Sequence, residues 1–208
     1  MKIVFLVIAV FSSIITFAQT QEATTAEGKT VILYNDGTWE YKTDAVEDVK
    51  VEPTSISNDV NAEGEMTEVY FSTSDRLDRF FSNPKNKIRG KAKCFIVNGQ
   101  SKIEFMWETY LGDGNRYFGY LKEGTLVTLK LKDNKEVQLT LGENINTDAR
   151  EKYHVTIFTG TANVTNEQVA LLVQYPVETI TVEWKKKPEE YKAENTNYFR
   201  SEFVKLLK

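Results

Sequence analysis

The sequence predicts a mainly β, β-rich α+β protein. The expected fold is an antiparallel β-sandwich or curled sheet with a short helix near residues 165–174, a C-terminal helix and a separate N-terminal β-hairpin. Three observations support this prediction. Apolar and polar residues alternate through much of residues 87–160, Asp-Gly and Asn-Gly pairs mark tight turns, and sustained helical spacing of apolar residues comes only after residue 165.

The first residues have the pattern of a cleavable signal peptide. Lys2 precedes an apolar stretch from Ile3 to Ile15, and Thr16-Phe17-Ala18 forms a small-x-small processing site. A retained anchor helix is the alternative, but a membrane span needs about 20 continuous apolar residues and polar residues 19–21 come too soon. We therefore expect a signal peptide at 1–18, a hairpin segment at 19–42, a flexible linker at 43–67 and a β-rich domain at 68–208.

Residues 28–41 predict the N-terminal hairpin. A β-branched and aromatic run up to Tyr34 is followed by Asn35-Asp36-Gly37 and a second aromatic run that ends at Tyr41. Asp and Gly tolerate the positive φ angles of a tight turn. Because a two-stranded ribbon alone is marginally stable in water, we expect it to dock on its own chain or on a partner. The residues that follow are polar without sustained periodicity, which predicts the linker.

Several segments of the main domain alternate with the period of two that is typical of a half-buried strand. Asn98-Gly99 and Asp133-Asn134 predict turns within this region. The strand segments are Val69 to Phe71, Cys94 to Val97, Ile103 to Trp107, Val127 to Leu131, Val137 to Leu141 and Tyr153 to Ile157.

Capping patterns predict two helical segments. Ser74 favours a short helical turn that places Leu77 and Phe81 on one face. Residues 165–168 fit a capping box, and the helix that follows is expected to stop before Pro176.

The C-terminal end is expected to add one strand and one helix. Ile180, Val182 and Trp184 alternate as in a last strand. Apolar residues then recur at helical spacing, which predicts a helix that packs across the sheet: Phe199, Phe203, Leu206 and Leu207.

The charge pattern argues against a nucleic-acid partner. The chain has 26 Lys and Arg against 30 Asp and Glu, a formal net charge of -4. These charges are interspersed along the chain, whereas nucleic-acid binding needs a concentrated basic face.

Metal and catalytic chemistry has little support in the residue types present. Cys94 is the only cysteine and His154 the only histidine, so the usual zinc and thiolate sites cannot be built. We expect Cys94 to be a buried, inert thiol and His154 to face solvent on a strand. The acidic segments 113–115 and 143–148 do not match a calcium loop and are expected to be solvated turns.

No nucleophile elbow and no glycine-rich phosphate loop is present. We therefore expect no enzymatic activity, no cofactor and no metal. A hydrolase that uses carboxylates of no recognised pattern remains an alternative.

Aromatic residues are the feature with the most binding potential, because exposed rings stack on sugars or grip partner side chains. Core packing and cross-strand pairing are the alternative explanation for the same residues. The candidate binding residues are Trp39, Tyr41, Trp107, Tyr110, Tyr117, Phe118 and Tyr120.

The N-terminal residues also carry a family resemblance. A signal ending in Phe17-Ala18-Gln19, followed by the motif from Gly28 to Tyr41 (GKTVILYNDGTWEY), is similar to a segment of exported Bacteroidetes proteins that have no assigned activity. Residues Leu171-Leu172, Pro176, Ile180 and Asn197-Tyr198-Phe199 are loosely similar to the same group. The resemblance implies a periplasmic or surface setting in a Gram-negative cell and no active-site residues.

Together these patterns predict an exported, non-enzymatic β-rich protein that acts as an interaction or accessory module in the periplasm or at the cell surface. Its expected partner is a protein or glycan of the cell envelope, and no transmembrane domain is expected after signal cleavage. A glycan- or peptide-binding module that uses exposed aromatic residues is one alternative, and the hydrolase is the other.

Overall fold

The structure is a computed structural model that describes residues 21–24, 30–33, 39–41 and 60–208. The chain divides into two compact units, Met1–Ala45 and Val46–Lys208. The predicted signal peptide and most of the predicted linker lie outside the described residues. Within the described residues, no helix combines the length and the apolar character needed to cross a membrane.

The first unit contains a three-stranded antiparallel sheet. Strands β1 (Gln21–Thr24) and β3 (Trp39–Tyr41) pair with opposite edges of β2 (Thr30–Leu33). The pairing of β2 with β3 confirms the two arms of the predicted hairpin. The turn between them, at residues 34–38, lies outside the described residues. Strand β1, which pairs with β2, was not predicted from the sequence.

The second unit is built on a nine-stranded antiparallel sheet. Its strands are β4 (Ala62–Glu63), β5 (Thr67–Thr73), β6 (Lys87–Val97), β7 (Gln100–Thr109), β8 (Leu126–Leu131), β9 (Lys135–Arg150), β10 (Val155–Val164), β11 (Val177–Val182) and β12 (Glu189–Lys192). The spatial order is β12-β11-β8-β9-β10-β7-β6-β4, and β5 also pairs with β6. The prediction of a mainly β antiparallel fold is confirmed.

The sheet curls so that β12, at one end, meets β5, which pairs with β6 near the other end. The backbone N–H groups of Glu194 and Asn195, just after β12, donate to the carbonyl of Val69 in β5 at 2.9 and 3.3 Å. Beside them, the rings of Tyr70 and Tyr191 stack with their centroids 4.7 Å apart. This closure brings β5 and β12, which are more than 110 residues apart in sequence, to one place.

Within the described residues, four short α-helices accompany the sheet: α1 (Asp75–Asp78), α2 (Asn115–Phe118), α3 (Asn166–Gln174) and α4 (Tyr198–Leu206). The predicted capping box of α3 is present, with both bonds made between Thr165 and Gln168. Helix α4 packs against α3 and β6, and the ring of Phe199 lies 6.4 Å from that of Phe105. The predicted C-terminal helix across the sheet is therefore confirmed.

The two turn predictions in the main domain are also confirmed. Asn98 and Gly99 have φ angles of 49° and 73° and join β6 to β7 as a two-residue loop. Asp133 and Asn134 have φ angles of 61° and 56° between β8 and β9. Asparagine, aspartate and glycine adopt this left-handed region more readily than other residues.

Some boundaries differ from those expected. Residues 62–63 and 67, assigned to the linker, are in the sheet, because β4 and β5 both pair with β6. Residues 143–148, expected to be a solvated turn, continue β9 alongside β10. Their polar side chains stand on a strand with exposed and half-buried positions, so composition alone suggested a loop.

Two strand predictions are wrong in detail. Tyr153 lies in a 3-10 turn, and His154 follows it with φ of 52°, so this exposed histidine is on a turn rather than on a strand. Trp184 follows β11 instead of belonging to it, and β12 comes later.

Candidate functional site

A largely exposed ring of the candidate site lies just after α1. The side chain of Ser74 caps this single helical turn by accepting a hydrogen bond from the N–H of Leu77, as predicted. The N–H groups of Phe80 and Phe81 both donate to the carbonyl of Leu77 at 2.9 Å. Leu77 is buried and Phe81 packs partly against the core. Consecutive residues of a turn point in different directions, so Phe80 remains 59% exposed.

The loop before α2 is held by a buried threonine. Thr156 of β10 lies on the inner face of the sheet, where its hydroxyl donates to the carbonyl of Leu111 at 2.7 Å and accepts from the N–H of Gly114 at 2.8 Å. A Cβ atom at Gly114 would lie 2.9 Å from the Cβ of Thr156, so the close approach requires glycine. Both hydrogen bonds are buried, which satisfies a polar group inside the core.

Helix α2 directs two consecutive rings to opposite sides. Phe118 is fully buried and lies 4.8 Å from the ring of Trp184 and 6.0 Å from that of Phe158. Tyr117 is half-buried at the surface. Gly119, with φ of 82°, ends the helix. One helical turn thus contributes a residue to the core and a residue to the surface.

Three rings form what we call the α2 ring cluster: Phe80, Phe81 and Tyr117. The Tyr117 centroid lies 5.5 Å from Phe80 and 5.2 Å from Phe81, with interplanar angles of 57° and 71°. Phe80 and Phe81 lie 6.4 Å apart. Tilted and edge-to-face arrangements at these distances are favourable for aromatic pairs. Tyr120, three residues after Tyr117, is 67% exposed.

A buried carboxylate anchors α1 to the end of the sheet beneath this cluster. Glu189 is 5% exposed, and its Oε1 accepts from the backbone N–H of Arg76 at 2.7 Å. The side-chain Nε–H of Arg76 donates to the carbonyl of Tyr117. Arg76 therefore joins α1, α2 and β12 in one network.

The second oxygen of Glu189 is also engaged. The hydroxyl of Tyr191 donates to its Oε2 at 2.6 Å and accepts from the indole N–H of Trp184 at 3.0 Å. Burial raises the pKa of Tyr191 well above its usual value, and neighbouring Tyr70 and Glu189 raise the pKa further. Tyr191 therefore stays protonated and remains a donor. Since both carboxylate oxygens have partners, Glu189 is suited to hold structure together.

Cationic side chains surround the ring cluster. We call five of the exposed ones, on α2 and on the segments beside it, the basic rim: Arg79, Arg116, Lys185, Lys186 and Lys187. The guanidinium of Arg116 lies 6.0 Å from the centroid of Tyr117. The backbone N–H of Lys186 donates to the carbonyl of Phe118, and the Lys185 side chain lies against Gly119. None of the ion pairs formed among the described residues involves the basic rim.

The structure separates the aromatic candidates predicted from the sequence. Trp107 and Phe118 are in the core, so the core-packing alternative holds for them and neither ring is open to a partner. Tyr117 and Tyr120 are at the surface of the α2 region, and half-buried Tyr110 lies 6.3 Å from Phe71 instead. The remaining two, Trp39 and Tyr41, belong to β3, and their side chains lie outside the described residues.

Sequence reasoning missed Phe80 and the basic rim as parts of a surface. A signal for Phe80 was present, because two consecutive phenylalanines on a single capped turn cannot both face the core. No comparable signal existed for the rim. Its members come from three segments that only the folded chain brings together.

The unique cysteine and histidine lie elsewhere. Cys94 is fully buried in β6, and burial raises the pKa of its thiol well above the usual value, with nearby Glu202 adding to the effect. A protonated, enclosed thiol is a poor nucleophile. Within the described residues, no three His, Cys, Asp or Glu side chains gather in an arrangement that could hold a metal ion.

No protein-family model, curated protein or solved structure matches this chain.

Proposed function

We propose that this protein is an exported, non-enzymatic binding module that recognises its partner through the α2 ring cluster. The observation that carries the proposal is the position of Phe80, which is 59% exposed yet contacts two rings that pack against the core. Burying a phenylalanine is worth about 1.5–3 kcal/mol. Because the Phe80 ring stays largely exposed, folding gains only part of this free energy. A partner that covers the ring can gain the remainder.

The ring cluster is suited to recognition because its geometry is already set. Phe81 and Tyr117 are half-buried, and the backbone of Tyr117 is held by the Arg76 side chain. Aromatic side chains have few rotatable bonds, so ordering them on binding costs little conformational entropy. Large, anchored aromatic residues are frequent among the residues that dominate binding free energy.

Two further observations support the exported and non-enzymatic parts of the proposal. The N-terminal residues 1–18 have the composition of a signal peptide. Glu189 is the one carboxylate among the described residues that is buried, and both of its oxygens already accept hydrogen bonds. A catalytic carboxylate would need an oxygen directed at substrate.

The test compares two exposed aromatic residues. Phe80→Ala removes the exposed member of the cluster, and Tyr153→Ala removes a ring that is 69% exposed on the turn between β9 and β10. Mature protein and both variants are titrated with a panel of neutral and charged oligosaccharides and extended peptides by saturation-transfer NMR. We expect Phe80→Ala to weaken binding at least about tenfold and Tyr153→Ala to leave it unchanged.

Thermal unfolding serves as the control, because both replaced side chains are largely exposed and neither variant should lose appreciable stability. A Phe80→Ala protein that keeps full affinity for every ligand would refute the role of the ring cluster. So would the absence of binding to the whole panel by the unmodified protein.

A further inference from the structure

The surface around the α2 ring cluster differs in charge from the rest of the chain. The segments that build it, residues 74–86, 113–122 and 183–189, contain eight Lys and Arg against five Asp and Glu, whereas the whole chain has 26 against 30. Three of the five acidic residues already accept hydrogen bonds within the protein: Glu189 in its buried network, Asp78 from Asn86 and Asp113 from the backbone N–H of Arg116. Positive charge is therefore concentrated here on a chain that is negative overall.

The cations of the basic rim are also available to pair with the carboxylates of a partner. Elsewhere on the sheet, Arg89, Lys93 and Lys102 each lie within 3.2 Å of a carboxylate oxygen. The rim cations have no such partner among the described residues, and Arg116 is oriented over the ring of Tyr117. Guanidinium groups pair with carboxylates in a fixed fork geometry. An acidic partner would therefore meet donors that have no internal competitor.

From this juxtaposition we propose that the α2 ring cluster and the basic rim together bind a carboxylated glycan, a chain of uronic acid residues. The inference rests on the proposed binding role of the ring cluster and adds the chemistry of the partner. The exposed face of Phe80, and that of Tyr120 nearby in sequence, offer the apolar contact that sugar rings use. The rim supplies positive charge for the carboxylates, from α2 and from two segments that contact it.

An anionic membrane surface fits the same observations less well. Interfacial anchors combine basic residues with a continuous apolar face that enters the acyl region. On these segments Phe80 and Tyr120 are the strongly exposed apolar side chains, and the exposed acidic residues Asp75 and Asp113 lie on the same segments. The tilted, half-buried rings of Phe81 and Tyr117 form a shallow contact surface rather than an insertion wedge.

The decisive experiment separates charge from sugar contact. Oligosaccharides of galacturonate, mannuronate and glucuronate are compared with their methyl esters, which keep the rings and lose the charge, by isothermal titration calorimetry with the mature protein. We expect at least one free acid to bind about tenfold or more tightly than its ester, and its affinity to fall as salt is raised.

A matched pair of triple variants locates the charge effect. Replacing Lys185, Lys186 and Lys187 with glutamine removes three rim cations. Replacing Lys132, Lys135 and Lys152 with glutamine removes three exposed cations at or beside other turns. The first variant should bind the free acid about tenfold more weakly, with thermal stability unchanged. The second should bind like the unmodified protein.

The remaining outcomes overturn one proposal or the other. Equal affinity for acid and ester, still lost in Phe80→Ala, refutes the acidic partner and leaves the binding module standing. No binding of any acid refutes the inference, as does binding of phosphatidylglycerol vesicles in place of every oligosaccharide. Equal losses in the two triple variants would show that the rim has no specific role.

Discussion

Two surfaces of the sheet unit carry many charged side chains. Among the described residues, the charges form ion pairs on one surface and not on the other. On the outer face of β4, β5, β6 and β7, cations and carboxylates form what we call the charge ladder. Arg89 Nε lies 2.7 Å from Glu68 Oε2 as an ion pair that lacks hydrogen-bond geometry, and Lys93 Nζ lies 2.9 Å from Glu63 and 3.2 Å from Glu104. Around α2, the basic rim has no ion pair within the described residues.

The difference follows from the backbone. Antiparallel register places Arg89 opposite Glu108 and Lys93 opposite Glu104, so each cation finds a partner across the strand. The rim lies on short turns, where no neighbouring strand supplies a facing residue. Exposed ion pairs stabilise a fold by at most about 1 kcal/mol each. The main effect of the ladder is therefore that its cations and carboxylates pair with each other. The rim leaves its charges available to a partner.

The largest expected effect comes from the inner face of the ladder strand. Gly90 lies between Arg89 and Lys91, and a Cβ atom there would be 2.3 Å from the ring of Tyr70. Because Tyr70 stacks on Tyr191, which holds Glu189, Gly90→Ala should lower the free energy of unfolding by about 3 kcal/mol. Chemical denaturation measures this change. Lys91→Ala, one residue away on the outer face, should cost no more than about 1 kcal/mol; equal losses would contradict the prediction.

A smaller effect is expected from the carboxylate beneath α2. Glu189→Gln keeps the size of the side chain but replaces one acceptor with an amide donor that faces the Tyr191 hydroxyl. Losing one buried hydrogen bond to a charged group should lower the free energy of unfolding by about 2 kcal/mol.

The ladder provides the comparison for this variant. Glu104→Gln removes a partly exposed carboxylate and should cost less than about 1 kcal/mol. If the two glutamine variants unfolded at the same denaturant concentration, Glu189 would not anchor α1 and α2 as described.

The smallest effect is a change in one ionisation constant. The side-chain hydrogen bond and the charge of Lys93 lower the pKa of Glu63 below its ordinary value. A lowered folded-state pKa means that the pair stabilises the fold above the unfolded pKa and loses this contribution as pH falls through the folded pKa. Lys93→Met should therefore raise the pKa of Glu63, as measured by carboxyl NMR titration.

Glu167 is the internal reference in the same titration. Its pKa is lowered by its own backbone N–H and by the Thr165 hydroxyl, with no contribution from Lys93. The pKa of Glu167 should be identical in the unmodified protein and in the Lys93→Met variant. An unshifted Glu63 would show that the ladder pairs are not maintained in solution.

The sequence by itself determined the features that depend on residues close together in the chain. The turns at residues 98–99 and 133–134, the Ser74 cap and the capping box of α3 follow from local φ preferences and from hydrogen bonds that span about three residues. Alternation identified most strands of the sheet. These interactions are short in range, so the local sequence is sufficient to predict them.

Only the tertiary structure decided how the ends of the sheet meet and what each aromatic residue does. Trp107 and Tyr117 were both candidate binding residues, yet one is enclosed in the core and the other lies at the surface. The basic rim joins Arg79, Arg116 and Lys185, which are separated by tens of residues. Burial and charge concentration are properties of packing between distant segments, and no local pattern contains them.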